Sequence, residues 1–468
     1  MHHHVHLGVT GLRRTGKTVF LTALLYQLKE LGSKGLPAFS LGKSNSETKP
    51  IELTPGELSH SGPLQEFPFQ RNFESLQQKP AVWPAPTEGE SSATVTFHVK
   101  NHNRGYTDYF LYGWVGYPIH DHTITLHIHD YPGEFLLDVP MLKQSFEQWS
   151  KTTLQRMAEQ CPEAADEYNK VAQLAITDDL NEQLRQLRQA YAKYVIAARD
   201  DGLEMIQPAM SLLQSGYAKN CFADENSLPF VPIPAGIPQE TKLHDLLAPV
   251  YANYCRERVQ PFHNRLKNCQ VQVVLVDVLR IMRNGWRCYN DSKKSLEAVM
   301  QAYHHSAWFW GGAGRVVFAA TKSDHAIKSE RSNLQKLLAE LVNKAAKTVG
   351  ITVQTECNWF SALRATTDEI GTHDGNSLNC LGGFLKGNEG TTSEVLNREF
   401  EHVFPGTVPE TWGDAIDRCN RHHEAWIKGN RCFDFPEFEC PSLSLLNGAS
   451  FKHLNFDSLI KSILFPYL

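Results

Sequence analysis

Apolar and polar residues alternate along several short stretches of the chain, and this pattern predicts β-strands. Elsewhere the apolar residues recur every three or four positions, which predicts helices that bury one face. Strands and helices follow one another in turn, an order typical of an α/β fold, in which helices cover both faces of a mostly parallel sheet. The strand patterns lie at 5–10, 91–100, 123–129, 271–277, 315–320 and 352–360, and the helical patterns at 17–25, 180–195, 333–349 and 459–464.

Two long stretches interrupt this order and divide the chain into parts. Residues 35–90 are rich in Ser, Pro, Gly and Gln, which predicts a largely irregular excursion. Residues 135–268 carry helical apolar spacing and predict a mostly helical insertion. We therefore expect a core formed by residues 1–134 and 269–365. A C-terminal extension, 366–468, is expected to pack on that core, and its last helix is too short and too poor in basic residues to favour a membrane surface.

Composition narrows the class of protein. The chain has 468 residues, of which 41% are hydrophobic and 21% charged, as in globular proteins. The formal net charge of -5 argues against a nucleic-acid partner, which usually requires a basic face. No apolar run approaches the length of a membrane span, and the ten cysteines form no C-x-x-C pair, as is typical of reduced thiols. A motif that begins at Gly11 would be destroyed by cleavage of a signal peptide, so we expect a cytoplasmic location.

Four histidines close together in the sequence, His120, His122, His127 and His129, suggest a metal site. They have no cysteine or carboxylate at ligand spacing, which weakens that interpretation. His127 and His129 alternate with apolar residues, so they lie on the polar face of a strand. A polar sheet face is therefore the favoured interpretation.

The segment Gly11–Thr18 matches G-x-x-x-x-G-K-[ST], the phosphate-binding P-loop. A strand precedes it and a helix follows, so that backbone N–H groups and the positive end of the helix dipole converge on an anion. Lys17 is expected to reach the β- and γ-phosphates, and the Thr18 hydroxyl to ligate Mg²⁺. The predicted phosphate-binding residues are Arg13, Arg14, Thr15, Gly16, Lys17, Thr18 and Val19.

A second motif, D-x-x-G, directly follows the strand at 123–129 as Asp130-Tyr131-Pro132-Gly133. A carboxylate at this strand end can hold the hydration shell of Mg²⁺, and the Gly133 N–H can meet the γ-phosphate. Glu134 occupies the position where Ras-like proteins carry a water-orienting Gln. It could accept a proton from the attacking water or merely cap the next helix, and the sequence leaves both roles open.

Two further motifs favour guanine over adenine. Thr321-Lys322-Ser323-Asp324 follows the strand at 315–320 and matches [NT]-K-x-D. Its carboxylate can accept both hydrogen bonds from guanine N1–H and the exocyclic amine, a donor pair that adenine lacks. Ser361-Ala362-Leu363 ends the next strand and matches S-A-[KL], an element whose backbone N–H meets guanine O6. Each motif alone also fits an N-capping turn or a helix start. Their positions at strand ends in chain order predict GTP and GDP as ligands. The predicted guanine-binding residues are Thr321, Lys322, Asp324, Ser361, Ala362 and Leu363.

Several segments also match a known family. They are the P-loop with its flanks, Trp83–Thr87, Asp130–Glu134, Val276–Arg280 and the closing run from Pro405 to Trp412. Over nearly its whole length the sequence resembles the YcjX-like family of bacterial stress proteins. The resemblance implies a GTP-binding protein with a Ras-like core, associated with the phage-shock and general stress responses. The family has Ser-Arg-Ala where this chain has Arg13-Arg14-Thr15, so Arg13 is an additional cation beside the phosphates.

Two further side chains are candidates for the chemistry. Thr87 precedes the strand at 91–100 and is expected to close onto Mg²⁺ and the γ-phosphate, although it also fits a Pro-flanked turn. Arg14 could act as an internal arginine finger or only form a salt bridge across the loop. The predicted catalytic residues are Lys17, Glu134, Arg14 and Gly133, and the predicted metal ligands are Thr18, Thr87 and Asp130.

Two classes of function follow from these motifs. In the first, the protein hydrolyses GTP to GDP and phosphate with Mg²⁺, slowly without a partner, and acts as a nucleotide-dependent switch in a bacterial stress response. In the second, it is a guanine-nucleotide-bound interaction scaffold with negligible turnover. An unidentified protein partner is expected in either class. Attachment to the inner membrane through that partner stays open.

Overall fold

The computed structural model describes most of the chain, and its strands are numbered here in chain order. The described residues are 2–11, 14–34, 36–40, 51–60, 62–85, 89–101, 121–173, 179–214, 228–237, 240–304, 315–350, 355–373, 376–386, 400–420, 433–441, 443 and 451–468. The strands are β1 (His2–Gly11), β2 (Ile51–Leu53), β3 (Glu57–Ser59), β4 (Gln65–Glu66), β5 (Ser91–Asn101), β6 (His122–Asp130), β7 (Val271–Val276), β8 (Arg315–Ala320), β9 (Thr355–Trp359), β10 (Thr367–His373), β11 (Asn376–Phe384) and β12 (Phe400–Val403).

Nine of the described strands form one sheet in the order β2-β5-β6-β1-β7-β8-β9, with β3 and β4 also paired to β5. β1 lies parallel to β6 and β7, and β8 and β9 continue in the same direction. β5 is antiparallel to β6. The predicted α/β fold with a mostly parallel sheet is therefore confirmed. β10, β11 and β12 form a separate antiparallel sheet.

Helices connect the strands. The helix Leu180–Asp200 begins at Asp179, whose side chain accepts a hydrogen bond from the Asn181 N–H at 2.9 Å. In the described part of the chain, every helix is too short or too polar to cross a lipid bilayer. The helices are Lys17–Tyr26, Pro37–Ser40, Phe69–Gln77, Glu134–Asp138, Phe146–Gln160, Pro162–Gln173, Leu180–Asp200, Ala209–Gln214, Glu240–Tyr254, Gln260–Lys267, Val278–His304, Arg331–Val349, Trp412–Asn420 and Phe456–Leu464. Val278–His304 is interrupted by a kink at Gly285, whose φ is 80°.

The main sheet buries apolar residues on both faces. On one face, alternate residues of β1 such as Val5 and Leu7 pack with the helices Lys17–Tyr26 and Phe456–Leu464. On the other face, β7 and β8 pack against the helices Val278–His304 and Arg331–Val349 and join the core of the helices between β6 and β7. The sheet therefore lies between two helical layers.

Histidines occupy the polar face of β1 and β6. His4 Nδ1 lies 3.1 Å from His127 Nε2, and His6 Nδ1 lies 3.1 Å from His129 Nε2. Burial is the main cause that lowers the pKa of His129 to about 4, and the charge of the neighbouring His6 acts in the same direction. The His129 ring is therefore neutral at pH 7, and the histidine pairs form a polar ladder across the two parallel strands.

The histidine group considered as a metal site does not converge on one point. His122 turns to the opposite face, where its Nε2 lies 2.7 Å from the Tyr467 carbonyl. His120 lies outside the described residues. Among the residues that the structure describes, no group of three or more His, Cys, Asp or Glu side chains could hold a metal ion.

The helix Glu134–Asp138, which directly follows D-x-x-G, is hydrogen-bonded to later helices of the segment between β6 and β7. Asp138 is fully buried, and its carboxylate accepts the N–H groups of Ala209 and Met210, both at 2.9 Å, and the Tyr254 hydroxyl at 2.5 Å. Burial raises the pKa of Asp138 to about 6 despite these hydrogen bonds. A shift of the D-x-x-G segment therefore has to disturb the start of the helix Ala209–Gln214.

The excursion after the first helix is more ordered than predicted. The strands β2, β3 and β4 pair with β5, and the helix Phe69–Gln77 buries Phe69 and Leu76. The prediction of a largely irregular segment at 35–90 is wrong for these stretches, because strands of two or three residues leave no periodic pattern to detect. The helix Val278–His304 and the small sheet of β10–β12 were also not predicted, and β1 begins at His2, three residues before its predicted start.

Candidate functional site

The carboxyl ends of β1, β6, β8 and β9 lie at one edge of the sheet, where the segments that follow them border a cavity of about 490 Å³. Open α/β sheets bind ligands at this edge, and the volume is within the usual range of small-molecule sites. The structure brings most of the predicted site residues together here. Those that line the cavity are Arg14, Thr15, Gly16, Lys17, Thr18, Val19, Glu134, Thr321, Lys322, Asp324, Ser361, Ala362 and Leu363.

Two glycines set the backbone of the P-loop. Gly11 ends β1 at a point where a Cβ atom would lie 2.3 Å from the Thr15 hydroxyl oxygen. Gly16 adopts a φ of 83°, in the left-handed region that favours glycine, directly before the helix begins at Lys17. Arg14 has a φ of 62°, a conformation that is uncommon for a residue with a side chain and recurs at functional sites.

Lys17 is buried, and its ammonium group is held at the end of β6. It donates to the Asp130 carboxylate in a short ion pair and to the Tyr131 carbonyl at 3.1 Å. Asp130 also accepts a hydrogen bond from the Ser91 hydroxyl at 3.1 Å. The structure thus joins the predicted phosphate-binding lysine to a predicted metal ligand. Sequence reasoning missed Ser91, which belongs to no motif.

The segment that leads to Thr87 lies beside the P-loop. The Thr18 hydroxyl donates to the Ala85 carbonyl at 3.4 Å, and Trp83 and Pro84 line the cavity. Thr87 itself lies outside the described residues, as Arg13 does.

Glu134 opens the helix Glu134–Asp138 and lines the cavity. Gly133 precedes it with a φ of -62°, so the helical conformation already begins inside D-x-x-G. Leu213, from the helix Ala209–Gln214, lines the same cavity. The Asp138 hydrogen bonds therefore join two segments, one with Glu134 and one with Leu213, that both face the cavity.

The T-K-x-D loop is fixed by its neighbours. Asp324 is 1% exposed, its Oδ2 accepts the Ala365 N–H at 2.8 Å, and its backbone carbonyl accepts the Thr366 hydroxyl at 2.6 Å. Lys322 has a φ of 56° and donates to Asp277 at 2.7 Å. Burial acts to raise the pKa of Asp277, but the Lys322 ammonium, together with the Arg280 N–H and guanidinium, outweighs it, and the pKa lies below its usual value. Asp277 is a second carboxylate that sequence reasoning did not assign to the site.

The Ser-Ala-Leu segment is held by the end of the chain. The Ser361 N–H donates to the Leu454 carbonyl at 2.8 Å, and the Leu454 N–H returns a bond to the Ser361 carbonyl at 2.9 Å. The Ser361 hydroxyl also donates to the Leu363 carbonyl at 2.9 Å. These bonds set the backbone of Ser361–Leu363 along one wall of the cavity.

Sequence reasoning missed the contribution of the C-terminal extension to the site. Lys386, Glu437 and Phe438 line the cavity. Glu437 forms a short ion pair with Arg283 and lies 3.6 Å from Lys386. None of these residues belongs to a recognisable motif, and their contacts join distant parts of the sequence, so that no local signal could have found them.

Glu437 is expected to make stability depend on pH in acid. Burial acts to raise its pKa, but the hydrogen bond and charge of Arg283, together with the charges of Lys322 and Lys386, outweigh it and lower the pKa from 4.5 to about 2. Its contribution to the free energy of unfolding is therefore present above pH 4.5 and lost as the pH falls through 2. Glu437→Gln should lower that free energy by about 1–2 kcal/mol at neutral pH, less than the full shift implies because the side chain is 34% exposed.

Urea unfolding at several pH values from neutral down to the acid limit measures this effect, and the deficit of Glu437→Gln should shrink as the pH falls. Glu401→Gln, at an exposed position of β12, is the matched control and should follow the unmodified protein. A deficit that stays constant over the whole range would contradict the assignment.

The sheet order, the P-loop turn and the cavity at the strand ends define a P-loop α/β protein with a Ras-like core. The chain belongs to the YcjX-like family (DUF463), whose family model matches residues 5–467. It is similar to the protein named Ras-like GTPase YcjX of Escherichia coli (strain K12), with 27% identity over 431 residues, 87% of this chain and 86% of the relative. It is also similar to the Ras-like GTPase YcjX of Shewanella oneidensis, with 25% identity over 492 residues, 98% of this chain and 93% of the relative.

Proposed function

We propose that the protein binds GTP and GDP and hydrolyses GTP to GDP and phosphate. The observation that carries this proposal is a single cavity lined both by the P-loop residues Gly16–Thr18 and by Asp324. A phosphate cradle and a carboxylate suited to guanine, facing one space, fit the two ends of one guanine nucleotide. The name of both relatives, Ras-like GTPase, supports the same ligand.

At the base end, Asp324 would accept both guanine hydrogen bonds. The Ala365 N–H already holds one of its oxygens at 2.8 Å, which fixes the orientation of the carboxylate before a base arrives. The Lys322 stem would lie along the base and the ribose, with its ammonium held by Asp277. Adenine lacks the donor pair, so the same geometry favours guanine.

At the phosphate end, Lys17 would exchange the Asp130 carboxylate for phosphate oxygens. The exchange keeps the buried ammonium paired, so it does not leave an uncompensated charge. The left-handed turn at Arg14 and Gly16 directs backbone N–H groups toward the same position, and the helix that begins at Lys17 adds its dipole.

Mg²⁺ is the metal that fits these residues. The Thr18 hydroxyl and the Asp130 carboxylate are hard oxygen donors of the kind that Mg²⁺ prefers. Lys17, the P-loop residue before Thr18, forms an ion pair with Asp130. Thr87 would supply a third oxygen. When bound, Mg²⁺ neutralises negative charge on the phosphates. Side chains of the protein would hold the phosphates, orient the water and position the base.

The rate of phosphate release from GTP tests the proposal directly. Glu134 would orient or deprotonate the attacking water, and Arg14 would neutralise charge that develops on the phosphates. Glu134→Ala and Arg14→Ala should each lower the rate of phosphate release from GTP about 100-fold or more, while GTP affinity changes by less than about 3-fold. Single-turnover phosphate release with Mg²⁺ and excess protein measures both rates.

Glu147→Ala and Arg256→Ala serve as controls, because their side chains are 70% and 73% exposed and line no part of the cavity. Both should hydrolyse GTP at the unmodified rate. If the unmodified protein holds GTP with Mg²⁺ and releases no phosphate, the scaffold with negligible turnover is the correct function.

We further propose that the nucleotide state is passed to the helices between β6 and β7. Gly133 and Glu134 would contact the γ-phosphate or the water, and Asp138 ties the same helix to Ala209 and Met210. Such a switch would act in a bacterial stress response, in the cytoplasm or, through a protein partner, at the inner membrane. We also propose that the chain is divided into a core (1–134 and 269–365), an insertion (135–268) and an extension (366–468).

A further inference from the structure

One segment of the C-terminal extension, residues 433–441, here called the strap, contacts two loops of the cavity. The Phe438 ring lies edge-on to the His325 ring, with centroids 5.0 Å apart and an interplanar angle of 77°. The Phe438 carbonyl accepts the Trp83 indole N–H at 3.4 Å. His325 directly follows Asp324, and Trp83 lies in the segment that reaches the P-loop at Ala85. Phe438 therefore bridges the base end of the cavity to the phosphate end.

The strap is fixed on its outer side by β11 and by the long helix after β7. The Lys386 N–H donates to the Glu437 carbonyl at 2.8 Å, and the Glu439 N–H donates to the Phe384 carbonyl at 2.8 Å. Arg283 forms the short ion pair with the Glu437 carboxylate. The strap is thus clamped between the small sheet and the main body of the protein, with Glu437 and Phe438 turned to the cavity.

A glycine in β11 allows the Phe438 ring to reach His325. A Cβ atom at Gly383 would lie 2.7 Å from the Phe438 ring, a distance at which the ring would have to move. Phe438 is 2% exposed and packs in a small buried cluster with Ile327 and Leu381. The ring therefore has one well-defined position, and that position depends on the absence of a side chain at Gly383.

We propose that the strap controls how long a guanine nucleotide stays bound, with Phe438 as a positioning residue that holds the Asp324 loop through His325. This inference rests on the proposed function. Phe438 contacts both the Asp324 loop and the Trp83 segment, so it would restrain movement of either one. Loss of the aromatic contact or of the indole hydrogen bond is therefore expected to speed release of the base.

Dissociation of a fluorescent GDP derivative from the full chain, chased with excess GDP, tests this inference. Phe438→Ala and Gly383→Ala should each raise the dissociation rate about 10-fold or more, because the first removes the ring and the second displaces it. Both should also reduce the preference for GDP over inosine diphosphate, which lacks the exocyclic amine read by Asp324. Trp83→Phe, which removes the indole donor, should raise the rate by a smaller factor.

Gly413→Ala is the matched control, because its Cβ would make only an ordinary contact, 3.5 Å from the Thr411 hydroxyl oxygen. It should release the derivative at the unmodified rate. Unmodified rates in Phe438→Ala and Gly383→Ala would overturn the inference. So would faster release with an unchanged preference for GDP over inosine diphosphate, since a generally loosened fold would then be the cause. If the unmodified protein binds no GDP derivative at all, the proposed function fails, and the inference fails with it.

Discussion

Lys17→Ala is expected to reduce the affinity for GTP and GDP at least about 100-fold. The ammonium group is buried, and charge-assisted hydrogen bonds to phosphate oxygens contribute about 1.5–3 kcal/mol each. Without it, the Asp130 carboxylate would also repel the phosphates. Titration calorimetry with each nucleotide measures the loss, and circular dichroism of the same samples checks that the fold is kept.

Lys17→Ala is also expected to lower the stability of the protein, and this effect has to be separated from the loss of nucleotide binding. Removal of one partner from the buried Lys17–Asp130 pair leaves an uncompensated charge, which destabilises proteins by about 3–5 kcal/mol. A double variant, Lys17→Ala with Asp130→Asn, removes both charges, and Asp130→Asn alone is measured beside it because Asp130 is also a predicted metal ligand. The three variants together separate lost binding from lost stability. Lys29→Ala, with a side chain 35% exposed, is the control that should bind normally. Native GTP affinity in either Lys17 variant would remove the P-loop from the proposed site.

Asp324→Asn is expected to weaken guanine nucleotides about 10- to 100-fold and to improve binding of xanthine nucleotides. Guanine presents two donors to the carboxylate, whereas xanthine has a carbonyl in place of the amine and so matches an amide better. The loss corresponds to a buried charged hydrogen bond of about 1.5–3 kcal/mol. Competition of GDP and xanthosine diphosphate for a fluorescent nucleotide measures the exchange of specificity.

Asp166→Asn is the control for this substitution, because Asp166 is exposed on the helix Pro162–Gln173 and lines no part of the cavity. It should leave both affinities unchanged. Equal affinity of the unmodified protein for ATP and GTP would sink the guanine assignment, whatever the variants do.

The site could be located from the sequence because its determinants are local. The left-handed Gly16 and the close contact of Gly11 with Thr15 are requirements of one tight loop, and they appear as fixed letters at fixed spacing. Strands that run parallel then bring their carboxyl ends to the same edge, so Asp130 and Asp324 converge with the P-loop by topology alone.

The contribution of the C-terminal extension could not be predicted in this way. Phe438 meets His325 through contacts between distant parts of the chain, because the strap is hydrogen-bonded to the end of β11 and its ring packs on the residue after Asp324. Such contacts depend on tertiary packing, and the residues involved show no periodic spacing. The same limit explains β2, β3 and β4, which exist because β5 offers them an edge and not because of a pattern of their own.

The buried carboxylate of Asp138 limits how the chain can be shortened and which substitutions relatives can carry. Its hydrogen-bond donors come from Ala209, Met210 and Tyr254, all in the helical segment between β6 and β7. Asp138 ends the first helix of that same segment, so a deletion that keeps the helix Glu134–Asp138 and removes the later helices would strip a buried acid of every one of these donors, at a cost comparable to that of a broken core network. A shortened chain would therefore have to lose the helix Glu134–Asp138 together with the helices that follow it. Among relatives, we expect an apolar residue at the Asp138 position to be accompanied by the loss of the hydroxyl at the Tyr254 position.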